Sequence, residues 1–385
     1  VAHKSERQNK EQADPVRKIM CVAGARPNFM KIGPIIHALH ATRGVVPMLV
    51  HTGQHYDPGM NDVFFAELQI PRPDRSLNVG SGSHAVQTAQ VMLAIEPVIE
   101  ETRPDIVVVV GDVNSTLAAT LVAVKLGVAV AHVEAGLRSF DRSMPEEINR
   151  LLTDQIATLL FTTERSAEAN LRREGIPVER VHFVGNVMID SLRGCLPRAV
   201  PARETFAAAG RPDLAEVAPG FALLTLHRPA NVDDPDTLAD LLETIREVSE
   251  LLPVAFPVHP RTARRIADAG LEALFHQSRI VRLEPVGYLA ALGLMREARV
   301  VLTDSGGVQE ETTGLGVPCL TLRANTERPI TIEEGTNELV GRDRELILAK
   351  TRDILATGGK SGRVPELWDG RAAERIAARL AQTPL

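Results

Sequence analysis

The sequence is poor in features that would each point to a class of function. Aromatic residues make up 3% of its 385 positions, which argues against stacking platforms for carbohydrate or single-stranded nucleic acid. There are three cysteines, Cys21, Cys195 and Cys319, far apart and without metal-ligand spacing. They read as small core residues in a reducing compartment. No apolar run approaches the ~20 residues a membrane helix needs. The polar start lacks the apolar stretch of a signal peptide. No dense basic run occurs, and the formal net charge is −6. Neither nucleic acid nor a membrane is therefore an expected partner. Residues 1–17 read as a disordered polar tail, and the protein as cytoplasmic.

What is present is a regular alternation of strands and helices. Hydrophobic residues reach 44%, enough for two cores in a chain of this length. Lys18–Ala23, Val45–His51, Ile106–Val110, Val128–Val133 and Leu159–Thr162 read as strands of a first half. Phe221–Leu226, Pro253–Val258, Ile280–Leu283, Val300–Thr303 and Pro318–Thr321 read as strands of a second. The run Ile106–Val110 is β-branched throughout, the pattern of a parallel strand buried on both faces. The expected fold class is α/β, with two Rossmann-like doubly wound parallel sheets facing a cleft. The expected domains span 18–195 and 196–365, joined through the proline-rich stretch Cys195–Gly220. In the final segment, 366–385, Ala373, Ile376, Ala377 and Leu380 share one helical face. That face is expected to pack back on the first domain.

Ligands of open parallel sheets bind beyond the carboxyl ends of the strands, so polar residues just past each apolar run are the site candidates. After the first strand come Gly24-Ala25-Arg26-Pro27 and Lys31, a glycine turn opening a helix whose N–H groups can meet an anion. Asp112 ends the valine run, where an acid is costly unless paired. The null role at this turn, helix capping, needs only Asn114 or Ser115. His132 and Glu134 are two apart and would share a face of an extended strand. That pair could ligate a metal, but no second His or Cys pair accompanies it. Pro145-Glu146-Glu147 opens a helix, and Glu146 and Arg150 are spaced to share its face. In the second half, His227-Arg228 and His259 follow strands. Ser305-Gly306-Gly307 starts a helix that bears Glu311. A helix dipole contributes only ~0.3–1 kcal/mol, so a diphosphate there needs cations, with Arg26, Arg228 and Arg328 as candidates.

Taken in order, these motifs resemble the non-hydrolysing UDP-N-acetylglucosamine 2-epimerases, which have the GT-B fold. The segment Thr52-Gly53-Gln54-His55-Tyr56-Asp57 and the loop Thr326-Glu327-Arg328-Pro329 add to the likeness. The resemblance implies anti elimination of UDP to 2-acetamidoglucal, then re-addition with C2 inverted, without a cofactor or a metal. It implies Asp112, Glu134 and Glu146 as catalytic acids, with His227 and Arg150 also needed for activity. Arg26, Lys31, Gln54, His55, Ser305, Gly306, Gly307, Glu311 and Arg328 match substrate- and UDP-binding positions. It further implies a homodimer. Two places depart from the pattern: Asn28 stands where the family commonly has Glu, and Ala290-Ala291 where some members place a Phe near the base. The loop 137–146 also looks like that of relatives acting on UDP-2,3-diacetamido uronic acids. A hydrolysing epimerase, a GT-B glycosyltransferase and a nucleotide-sugar sensor are the rival readings.

Overall fold

The computed structural model describes residues 16–53, 65–216, 220–276 and 278–383. Gln54 and His55 lie outside the described residues, as does the side chain of Arg26.

Two all-parallel sheets form the frame. The first has seven strands in the order β3-β2-β1-β4-β5-β6-β7. They are β1 (Arg17–Ala23), β2 (Val45–His51), β3 (Arg75–Ser76), β4 (Ile106–Val110), β5 (Ala129–Val133), β6 (Leu159–Thr162) and β7 (Val181–Phe183). The second has six, ordered β10-β9-β8-β11-β12-β13. They are β8 (Ala222–Thr225), β9 (Val254–Pro257), β10 (Ile280–Leu283), β11 (Val300–Thr303), β12 (Cys319–Thr321) and β13 (Asn337–Leu339). Each sheet reverses direction of growth once, between β1 and β4 and between β8 and β11. These are the switch points at which doubly wound sheets open a crevice.

Sequence and sheet meet most clearly in β4. Ile106, Val108 and Val110 enter one apolar cluster, with the helices Arg26–His40 and Val187–Cys195. Val107 and Val109 enter another on the opposite face. Every residue of the strand is buried, and each valine contributes ~1.5–3 kcal/mol by leaving water. The same logic divides β8, with Leu224 on one face and Leu223 on the other.

Three strands were not legible in the sequence: β3, β7 and β13. Each has two or three residues and lies at or near a sheet edge, too short for an alternating pattern. β1 also takes in Arg17, assigned above to the tail, whose amide donates to the Gly44 carbonyl at 2.8 Å. The helix Ala372–Gln382 lays Ala373, Ile376, Ala377 and Leu380 into the cluster shared with the helix Arg26–His40. Just before it, Trp368 is fully buried and its indole N–H donates to the Thr163 carbonyl at 3.0 Å. The chain end is thereby fastened to the first sheet.

Candidate active site

The carboxyl ends of β1, β4, β5 and β6 face those of β8, β11 and β12, and charged side chains from both sets meet in the cleft. Glu134 lies just past β5 with φ 74, a left-handed conformation that costs a non-glycine residue ~1–2 kcal/mol. The amides of Glu134 and Ala135 both donate to the Phe161 carbonyl, at 3.0 and 3.1 Å, and turn the chain there. Glu134 pairs with Lys31 of the first half, and its Oε1 lies 2.6 Å from Nη2 of Arg328 in the second. All three are buried. Strain at such a position marks a place where the surroundings over-determine the side chain.

This turn separates two residues that the sequence put on one face. His132 instead points to Asp154 and to the Gly111 carbonyl, at 2.6 and 2.8 Å. His132 and Glu134 therefore do not form a shared ligand pair. Both ring nitrogens of His132 are already engaged.

Asp112 follows the tight turn at Gly111 (φ 66) and is half-buried. Its carboxylate pairs with Nη1 of Arg150, and its carbonyl accepts from Asn149 Nδ2 at 2.8 Å. Arg150 pairs on its other side with Glu147 at 2.7 Å, not with Glu146 as the spacing suggested. Glu147 instead fixes the loop before the helix, accepting the Ser139 and Phe140 amides at 3.0 and 2.9 Å. Glu146 is half-buried in the first turn, with no ion pair among the described residues. The alternative role at this turn, capping by Asn114 or Ser115, is not seen: Val113 takes the cap position of the helix Asn114–Lys125, with no side-chain cap among the described residues.

The first glycine turn also differs from expectation. The Gly24 and Ala25 amides donate to Asn28 Oδ1 at 3.2 and 2.9 Å, and Asn28 Nδ2 donates to the Val110 carbonyl. Asn28 thus consumes backbone donors that the sequence left for an anion. Lys31 is held by Glu134 instead.

The second half brings a glycine-bearing helix start beside a cluster of arginines. Ser305 precedes the helix Gly306–Leu315 without capping it, and the first amides of a helix have no intrahelical acceptor. A Cβ on Gly306 would lie 2.9 Å from Glu327 Oε1 and 3.2 Å from Arg328 Nη1. Only glycine lets this cation stand over the helix start. Arg328 also pairs with Glu310 at 2.9 Å and Glu327 at 3.0 Å. Burial pushes Glu327 up, but Arg328, Arg323 and Arg228 outweigh it and hold its carboxyl well below the ordinary range. Arg228 Nε and Arg323 Nη1 are buried without a hydrogen-bond partner among the described residues, and such buried donors call for an acceptor. Asp304 accepts the His227 and Arg228 amides at 3.0 and 2.9 Å and pairs with His227 Nδ1 at 3.1 Å. His227 keeps 38% of its side chain exposed at the cleft.

Several residues of this network escaped the sequence reading: Arg323, Glu164 and, as ionic partners, Glu310 and Glu327. Arg323 stands two residues past β12, where the rule of strand ends would have found it. Burial pushes Glu164 and Glu311 up to about 7, and Glu310 upward as well. Glu311 accepts from the Tyr288 hydroxyl at 2.8 Å. No group of three or more His, Cys, Asp or Glu side chains among the described residues is arranged to hold a metal ion.

A family model described as UDP-N-acetylglucosamine 2-epimerase matches residues 37–381. The UDP-N-acetylglucosamine 2-epimerase of Methanocaldococcus jannaschii is 44% identical over 362 residues, covering 93% of this chain and 97% of that protein. Its crystal structure in complex with UDP-GlcNAc and UDP has a TM-score of 0.85 and covers 95% of this chain and all of that one, at 43% identity. A UDP-2,3-diacetamido-2,3-dideoxy-D-glucuronate 2-epimerase of Pseudomonas aeruginosa is 40% identical over 369 residues, 95% of this chain and 99% of the relative.

The Glu311 carboxyl carries a pH dependence of known sign. Its value in the folded protein, about 7, lies above the ordinary 4.5, so its contribution to stability is complete below the ordinary value and is lost as pH rises through 7. Glu311→Gln is expected to remove a slope of up to about 1.4 kcal/mol per pH unit between those limits. Denaturant unfolding of both proteins from pH 5 to 8 measures it; parallel pH profiles would contradict the assignment.

Proposed function

The chain belongs to the UDP-N-acetylglucosamine 2-epimerase family and has its GT-B-like fold, and from that premise we propose that it interconverts UDP-N-acetylglucosamine and UDP-N-acetylmannosamine by inverting C2. The observation that carries the reading is Glu134, a buried acid held between Lys31 and Arg328 where the two halves meet.

C2–H has no adjacent ketone to acidify it. The barrier must fall mainly through stabilisation of the departing diphosphate. Arg328, Lys31, Arg228 and the helix start at Ser305-Gly306-Gly307 are the groups suited to that charge, with Arg26 from the matching motif. In the first step a carboxylate takes the C2 proton, the C2–H electron pair forms the C1–C2 double bond, and the C1–O bond breaks with its pair leaving on UDP. In the return step UDP re-forms the C1–O bond, and a carboxylic acid gives a proton to the opposite face of C2. Atoms and electrons balance without an oxidant or added reactant. Two faces require two acids, and Asp112, Glu134 and Glu146 are the candidates. Asp112 is paired with Arg150, and His227 is held at Nδ1 by Asp304 with part of its side chain exposed. Gln54, His55 and Glu311 are assigned to substrate binding on the strength of the motif alone.

The Pseudomonas aeruginosa relative supports a second substrate, the UDP-2,3-diacetamido uronic acid, in the same chemistry. The three described cysteines are free and buried, which suits a cytoplasmic setting, and no described helix is long and apolar enough to cross a membrane. A homodimer is the proposed assembly. Ile148, Leu152 and Ile156, spaced by four on the helix Pro145–Ile156, are 45%, 48% and 36% exposed. The inner face of the same helix carries Glu147 and Arg150, so a partner there would brace the acid side of the cleft.

Incubation with each UDP-sugar in deuterated water tests the reaction. UDP-GlcNAc is expected to give UDP-ManNAc with deuterium at C2. Free sugar plus UDP would indicate a hydrolase, turnover of the uronic acid alone would move the substrate, and turnover of neither would defeat the proposal. Light scattering tests the assembly: a dimer is expected, and a monomer after Leu152→Glu with Ile156→Glu. A monomeric wild-type chain would contradict it.

A further inference from the structure

His132 is fully buried, and both of its ring nitrogens face hydrogen-bond acceptors. Nδ1 is 2.6 Å from Asp154 Oδ1, and Nε2 is 2.8 Å from the Gly111 carbonyl oxygen. A carbonyl oxygen has no hydrogen to give, and neither has an ionised carboxylate. Asp154 is placed as an ionised group. Its Oδ2 accepts from the Gly136 amide at 3.0 Å and from Arg138 Nη2 at 2.7 Å. Burial opposes its charge, and its cationic surroundings, Arg138 among them, hold the carboxyl below its ordinary range. Each ring nitrogen of His132 is therefore placed to donate a hydrogen. A neutral structural histidine would need a donor on one side of the ring, and a metal ligand would need a free lone pair. This ring has neither.

The ring is aimed at one particular peptide. The Gly111 carbonyl belongs to the peptide unit that leads into Asp112. The Gly111 amide is fixed to the Val133 carbonyl at 3.1 Å, and the following carbonyl, of Asp112, is fixed by Asn149 at 2.8 Å. The charge-assisted bond from His132 sets the plane between these two anchors. A Cβ on Gly111 would lie 3.0 Å from Lys31 Nζ and 3.4 Å from Glu134 Oε2. The same peptide therefore borders the second acid. Turning it would move Asp112 and the wall against which Glu134 sits.

We propose that His132, kept as an imidazolium by Asp154, is a positioning residue for the C2 proton transfer: it locks the Gly111 carbonyl and so fixes the aim of Asp112. It acts through the backbone and touches no reacting atom. The positioning role rests on the epimerisation reading above; the doubly protonated ring does not.

The test has a ligand-free arm and a kinetic arm. In the full chain labelled with ¹⁵N-histidine, at neutral pH and without substrate, nuclear magnetic resonance is expected to find hydrogen on both His132 nitrogens, the resonances being assigned by their loss in His132→Gln. One bare ring nitrogen would overturn the imidazolium. With UDP-GlcNAc, His132→Gln is expected to lower kcat by about 10²-fold, the scale of a misaligned reacting group. KM should stay within about threefold, because the interaction serves the transition state rather than binding. Asp154→Asn keeps the ring but removes its counter-charge, and is expected to give the same split between kcat and KM. It serves in place of His132→Gln if that variant does not fold. Wild-type kcat in either folded variant, or a loss confined to KM, would overturn the positioning role. A wild-type chain inactive on every UDP-sugar would defeat the function reading, while the resonance arm would still decide the state of His132.

Discussion

The guanidinium of Arg328 joins the two halves of the cleft. It is buried among Glu134 from the first half and Glu310 and Glu327 from the second. A buried ion of this kind is tolerable only when opposite charges surround it, and removing one partner of such a pair costs several kcal/mol. The rest of the site follows from that requirement. Glu134 adopts a strained backbone to reach the cation, Gly306 lacks a side chain so that the cation can sit above the helix start, and Glu327 is shared among three arginines. In the proposed reaction a diphosphate would compete with these carboxylates for the same guanidinium.

The acids are held in two different ways. Asp112 stands half-open to the cleft and is steered by Arg150, itself braced by Glu147. Glu134 is enclosed and neutralised from both domains. The carboxyls that burial pushes toward neutrality are others, Glu164, Glu310 and Glu311. They lie in the second-half lining and at the end of β6, where deprotonation adds negative charge close to the diphosphate site. That arrangement couples the pH dependence of folding to the side of the cleft proposed to bind the nucleotide.

Most of the frame was legible because parallel strands buried on both faces leave continuous apolar runs, as Ile106–Val110 does. The edge strands Arg75–Ser76 and Asn337–Leu339 were not, since two or three residues carry no period. The site residues were legible as positions, because chemistry collects past strand ends, but their partners were not. Nothing local in His132-Val133-Glu134 announces a positive φ that sends the histidine and the acid to different sides. The match of Glu134 with Arg328 spans 194 positions and depends on how the halves face each other. Arg150 chose Glu147 over Glu146 because Glu147 was already anchored by two backbone amides. Asn28, read as a departure from a family pattern, closes the first glycine turn.

In the proposed reaction Glu134 is an acid that handles the C2 proton rather than a strut between domains. The direct measurement is the rate at which Glu134→Gln exchanges the C2 hydrogen of UDP-GlcNAc with deuterated water, alongside UDP binding by calorimetry. The expected result is a fall in exchange of at least about 10²-fold, the usual scale for loss of an acid–base group, with UDP still bound. Exchange at the wild-type rate would contradict it.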